Sequence, residues 1–475
     1  MNPRQPIGHA VVRLGAILLA AALSLSPSAF AGTVFGPMSG GTHGWPFGSP
    51  GSSVDLSAHG YVEAEFYIGG DAISYAKSGA WGRDGRWSVS PSSSAPFRTR
   101  LLMLRPAAPG AFNGTVVVEW LNVSSGFDIP EFFAHAREEL LRGGYAWVGV
   151  SAQALGVQLS PFALKAWDPL RYGTLLHPGD AFAYDIVSQV GQAIRDANGA
   201  QLLGGLKAER VIAVGHSQSA NGLATYINAI HPLARVFDGF LLHSRTAAPL
   251  PLGPGADGAA PVASIIRTDT NVPVIALQDE WSIAVAAAWR VRQPDTPTLR
   301  LWEVAGTGHL DRDAVEFTAP IIQRDLGFPS PVCVAPANAA PLRYLVDAAL
   351  DRLDAWVARG EAAPHAPSSI DVAGGAVVRD GYANATGGIR LPQLDVPTAT
   401  LSGAQNSGPG PCPVAGITIP FDAATLASLY GTHGAYVSRF VQAVDRLRLG
   451  GFLLDFDAAD AKAKAAQSVV GKHSR

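Results

Sequence analysis

The sequence predicts an α/β protein with a mostly parallel sheet flanked by helices. Two observations predict it. Short apolar, β-branched runs recur along the chain, and stretches of helical periodicity fill the gaps between several of them. The 475 residues are 48% hydrophobic, enough for a sizeable core. The formal net charge of −3 gives no electrostatic reason to expect a nucleic-acid partner or a charged membrane surface.

The first segment reads as an address rather than as fold. Arg4 and Arg13 precede the apolar run Leu14 to Leu25, and Ala29-Phe30-Ala31 offers a small-residue cleavage site before Gly32. This is the pattern of a secretory signal peptide over residues 1–31, so the mature chain is expected in the periplasm or outside the cell. No later run is long and apolar enough for a membrane helix. Residues 32–330 are expected to form the core, and 331–475 to add helical and loop elements packed on it.

Within the core, Gly, Ser and Pro over 32–60 predict irregular surface chain. Strands are expected at Tyr61–Tyr67, Arg98–Leu104, Thr115–Leu121 and Ala146–Val150. A helix is expected over Glu131–Arg142, with Phe132, Phe133, Ala136, Leu140 and Leu141 facing inward, and another over Ala181–Asp196. Further strands are expected at Val211–Val214, Val236–His243, Val272–Leu277 and Leu299–Val304. Beyond residue 330, Leu342–Trp356 is amphipathic, and 421–463 holds two helical stretches.

In a parallel sheet, ligands bind beyond the carboxyl ends of the strands. Three such ends carry chemistry. After Val211–Val214 comes Gly215-His216-Ser217-Gln218-Ser219, and helical spacing resumes at Ala220. A serine at the apex of a strand–turn–helix is a nucleophile elbow; the tight turn demands small neighbours, which Gly215 and Ser219 supply. The bland alternative makes Ser217 a helix N-cap. After Val272–Leu277 comes Gln278-Asp279-Glu280, and after Leu299–Val304 comes Gly306-Thr307-Gly308-His309. An imidazole can take the proton of a serine hydroxyl and return it to a leaving group, and a carboxylate fixes the imidazole's tautomer. Ser217, a carboxylate and His309 thus form a candidate triad in the chain order of α/β-hydrolases. Glu280 is the favoured acid, with Asp279 as the alternative. The oxyanion is expected to bind the backbone N–H of Gln218 and that of Asn122 or Val123. Asn122 could instead simply close an Asx turn. His216 and His243 are candidates for lining the pocket.

The strings EWLNVSSG (119–126), GHSQSANG (215–222), FDGFLLHSR (237–245), LRLWEVAGTGH (299–309) and GGIRLPQLDVPTA (387–399) carry a resemblance. The chain resembles the bacterial "alpha/beta hydrolase domain" group of exported serine esterases over most of its mature length. The resemblance implies an α/β-hydrolase fold and carboxylic-ester hydrolysis without naming a substrate. The helical stretches beyond residue 330 are expected as extra C-terminal or cap elements on that core, and export gives access to a small-molecule or a polymeric ester. The acid loop of that group carries a Glu and an Asp two places apart. Glu280 matches the former, while Ser282 stands where the latter would be.

The same triad could serve an acyltransferase, or the scaffold could be a non-catalytic binding protein. Cys333 and Cys412, the only cysteines, are expected to pair in an oxidising compartment. No dinucleotide fingerprint, phosphate loop or cluster at metal-ligand spacing stands in the sequence, so neither cofactor nor metal is expected.

Overall fold

The computed structural model describes Met1 and residues 32–472. The expected signal segment therefore lies outside the described residues, Met1 apart. Ten strands form one sheet. In chain order they are β1 (Thr33–Phe35), β2 (Tyr61–Lys77), β3 (Val89–Pro106), β4 (Thr115–Trp120), β5 (Ala146–Val150), β6 (Arg210–His216), β7 (Gly239–His243), β8 (Val274–Asp279), β9 (Leu299–Ala305) and β10 (Ile389–Arg390). In space they run β1-β2-β3-β5-β4-β6-β7-β8-β9-β10. From β5 through β10 every pairing is parallel, while β1–β2, β2–β3 and β3–β5 are antiparallel.

Alternate residues of β6 feed two cores. Ile212 and Val214 pack with Phe132, Leu241, Leu277, Trp302 and Leu350 on one face. Val211 and Ala213 pack with Ile186, Val190, Leu223 and Phe240 on the other. This is why the run is apolar at every position rather than alternating: both faces are covered by helices. Glu131–Arg142 is helical as expected, and the helix expected over 181–196 spans Ala183–Arg195.

The structure differs from expectation in two places. Tyr61–Tyr67 and Arg98–Leu104 are the inner parts of a hairpin whose arms run 17 and 18 residues, with a register shift at Ser74/Tyr75. Its outer arms are rich in Ser, Pro and Gly, which hides them from a propensity reading. The sheet is also not complete at residue 330. β10 extends it beyond β9, and helix Arg343–Arg359 buries Leu345, Leu350 and Leu353 against it. The core and the C-terminal part share one interior. Cys333 and Cys412 form a disulfide. Among the described residues no helix is long and apolar enough to cross a membrane.

Candidate active site

The carboxyl edge of the parallel strands carries the candidate residues. β6 ends at His216, and Ser217 follows with φ 59° and ψ −117°, a left-handed conformation that a side chain rarely tolerates. Helix Gln218–Thr225 starts at the next residue. The turn is tight enough that a Cβ on Gly215 would sit 2.9 Å from the carbonyl carbon of Ser219. Ser219 fits because its Oγ donates to the carbonyl of His216 at 2.8 Å. The Ser217 side chain makes no capping hydrogen bond. Its backbone is pinned instead, its N–H donating to the carbonyl of His243 at 2.9 Å. A strained backbone that leaves the hydroxyl unengaged is not what a helix cap needs.

β8 ends at Asp279, whose Oδ2 lies 3.0 Å from His309 Nδ1. Ser282 donates to the same carboxylate from its N–H (2.6 Å) and from its Oγ (2.8 Å). Burial pushes the Asp279 carboxyl up. The charge and hydrogen bond of His309, with the Ser282 amide, outweigh it and hold the group at about 2. Asp279 is therefore an anion throughout the working range, able to hold the imidazole in one tautomer and stabilise its protonated form.

The favoured acid, Glu280, is not the one on His309. Consecutive residues leaving a strand point to opposite sides, and Glu280 points away from the imidazole. Its Oε2 accepts from the N–H of Gly306 (2.6 Å), and its Oε1 accepts from the N–H of Gly403 (3.0 Å) and from Arg379 Nη2 (2.7 Å). It ties the acid loop to the histidine loop and to the C-terminal segment. The loop bearing His309 is clamped from the same side. The N–H groups of His309 and Leu310 both donate to the carbonyl of Val414, at 3.0 and 3.2 Å. Gly308 has no room for a side chain, since a Cβ there would lie 2.6 Å from the carbonyl oxygen of Ala415. Asp311 caps the following helix through the N–H of Ala314.

The oxyanion expectation is narrowed. The N–H of Asn122 donates to the carbonyl of Ile129 at 3.1 Å, so it is not a free donor. Its Oδ1 accepts from the N–H of Ser124, closing an Asx turn, and its Nδ2 donates to the carbonyl of His216. Val123 is buried, and its N–H makes no hydrogen bond within the described residues. Gln218 is the first residue of its helix, where an N–H has no intrahelical acceptor.

Nor do His216 and His243 line an open pocket; both are fully buried. His216 Nδ1 faces Glu131 Oε2 at 2.9 Å, and its ring lies 4.5 Å from those of both His243 and His309. Burial pushes the imidazoles of His135, His216 and His243 down, so each is uncharged at neutral pH.

The family described as "Alpha/beta hydrolase domain" matches residues 34–463, nearly the whole described chain. The chain belongs to that family. No protein of curated function matches this hydrolase in sequence. Solved structures that resemble it include the esterase Est22, with 13% identity over 58% of this chain and 81% of that one at a TM-score of 0.31. Fungal esterases from Rhizomucor miehei share 14% identity over 53% of this chain and 78% of theirs, with a TM-score of 0.26. Esterase 2 of Thermogutta terrifontis shares 14% over 43% and 78%, with a TM-score of 0.27. Likenesses this small add nothing to the family assignment.

Proposed function

We propose that this hydrolase cleaves carboxylic esters through an acyl-enzyme. Ser217 Oγ attacks the ester carbonyl, and His309 takes its proton and gives it to the departing alkoxide. Asp279, rather than Glu280, holds His309 Nδ1. The N–H groups of Gln218 and Val123 receive the oxyanion, and water then releases the acid. The observation carrying this reading is the left-handed Ser217 at a strand–helix turn and, at the same carboxyl edge of the sheet, an imidazole whose Nδ1 is 3.0 Å from a buried carboxylate.

A fluorophosphonate should label the native protein once, with the adduct on Ser217. Ser217→Ala should lower turnover of a short-chain nitrophenyl ester on the order of 10⁴-fold or more. A folded protein that takes no label and cleaves no activated ester would end the proposal. Adding an alcohol acceptor and following product partition tests the acyltransferase alternative. Export belongs to the same proposal. It is supported by the leader-like sequence before Gly32 and by the Cys333–Cys412 disulfide.

A further inference from the structure

Behind the candidate triad, three histidines from three separate elements meet in the interior. They are His135 on helix Glu131–Arg142, His216 at the end of β6 and His243 at the end of β7, each at most 1% exposed. One ring nitrogen from each lies within 4.8 Å of the others. Among the described residues, both ring nitrogens of His135 and both of His243 lack a hydrogen-bond partner. Buried polar groups without partners are rare and costly, and two whole imidazoles in one place need an explanation.

His216 is held by acceptors on both sides. Its Nδ1 faces the Glu131 carboxylate at 2.9 Å and its Nε2 faces the carbonyl oxygen of His309 at 3.2 Å.

We propose that His135, His216 and His243 bind a first-row divalent cation of the zinc class. Three imidazoles without thiolates suit zinc, copper or nickel rather than magnesium or calcium. Coordination would use one lone pair on each ring and give the unpartnered imidazoles of His135 and His243 a partner. Glu131 would then hold the ligand ring from its far nitrogen, a carboxylate–histidine–metal arrangement that fixes tautomer and orientation. Tetrahedral ligands with 2.0–2.1 Å bonds stand ~3.3 Å apart, so the rings must close by up to ~1.5 Å on loading. The site is sealed from solvent, which makes the ion structural. It would pin the ends of β6 and β7 to helix Glu131–Arg142, directly beneath the turn that carries Ser217.

The test is the metal content of the full-length, untagged protein produced with zinc or cobalt in the medium and then desalted. The wild type should hold about one ion per chain, and the cobalt form should show the visible bands of a tetrahedral site. His135→Gln and His243→Gln should lose the ion. Glu131→Gln should weaken binding about 10–100-fold. Ser217→Ala and His309→Ala should keep it. Should the glutamine variants fail to fold, stripping the wild type with a chelator under mild denaturation should lower its Tm by several degrees, and re-addition of zinc should restore it. A folded wild type that holds no stoichiometric metal overturns the proposal. So does an ion that survives in both glutamine variants, or one that is lost in His309→Ala.

Discussion

Asp279 and Glu280 are neighbours in the chain, both carboxylates and both fully buried, yet they serve opposite sides of the same strand end. Asp279 faces the rim of the candidate site, where its oxygens meet His309 and Ser282. Glu280 faces the brace, where its oxygens hold the glycines at 306 and 403 and the guanidinium of Arg379. The difference teaches that acid identity here is set by direction, not by residue type. On the proposed mechanism, the residue that touches the imidazole tunes chemistry, and the one that touches the surrounding loops holds them in place.

Breaking the rim should give the largest effect. Asp279→Asn should lower kcat on the order of 10⁴-fold, because an amide at that position favours the wrong tautomer of His309. Glu280→Gln should leave most of kcat in the folded fraction. The comparison fails if Glu280→Gln proves the more damaging to kcat in samples verified as folded. The brace is tested next through its covalent tie. Cys412 lies two residues before Val414, whose carbonyl receives the N–H groups of His309 and Leu310. The cysteines are 79 residues apart, so opening the disulfide should cost about 4.5 kcal/mol in the chain-entropy model. Denaturant midpoints of the oxidised and reduced protein measure it, and esterase activity should fall with reduction as the His309 loop loosens. The smaller stability change belongs to Glu280→Gln. Its ion pair with Arg379 is partly exposed at the arginine end, so the expected cost is about 2–3 kcal/mol, below that of a fully buried pair.

The same geometry explains what the sequence could and could not disclose. The run Val211–Val214 followed by Gly215-His216-Ser217 is local information, and a local pattern is enough to mark an elbow. His309 was legible because it, too, follows a strand in a glycine-rich turn. The choice between Asp279 and Glu280 was not, since it turns on which way each side chain leaves the strand; a one-residue change in the end of β8 reverses the answer. Resemblance to a Glu-containing acid loop pointed to Glu280, which the fold uses as a brace. β10 went unseen because two residues, Ile389 and Arg390, carry no periodicity. The three-histidine cluster was invisible for a different reason. His135, His216 and His243 are far apart in sequence and converge only when helix Glu131–Arg142 packs over the ends of β6 and β7. The sequence carries one hint: Glu131 and His135 stand four apart, on one face of the helix Glu131–Arg142.

The last and smallest contrast is in pH. In the unfolded chain Asp279 should titrate near its ordinary 3.8, whereas in the folded protein it is held at about 2. The folded state therefore prefers the anion. The stabilisation this provides is fully present above pH 3.8 and is lost as pH falls through about 2. A shift of this size corresponds to about 2 kcal/mol at neutral pH. The asparagine variant has no such group to protonate. The difference in unfolding free energy between wild type and Asp279→Asn should thus shrink as pH falls from about 3.8 through about 2. Denaturant titrations at a series of pH values read it directly. A difference that stays flat down to pH 2 would mean that Asp279 is not held as the anion, and the rim would lose its distinction from the brace.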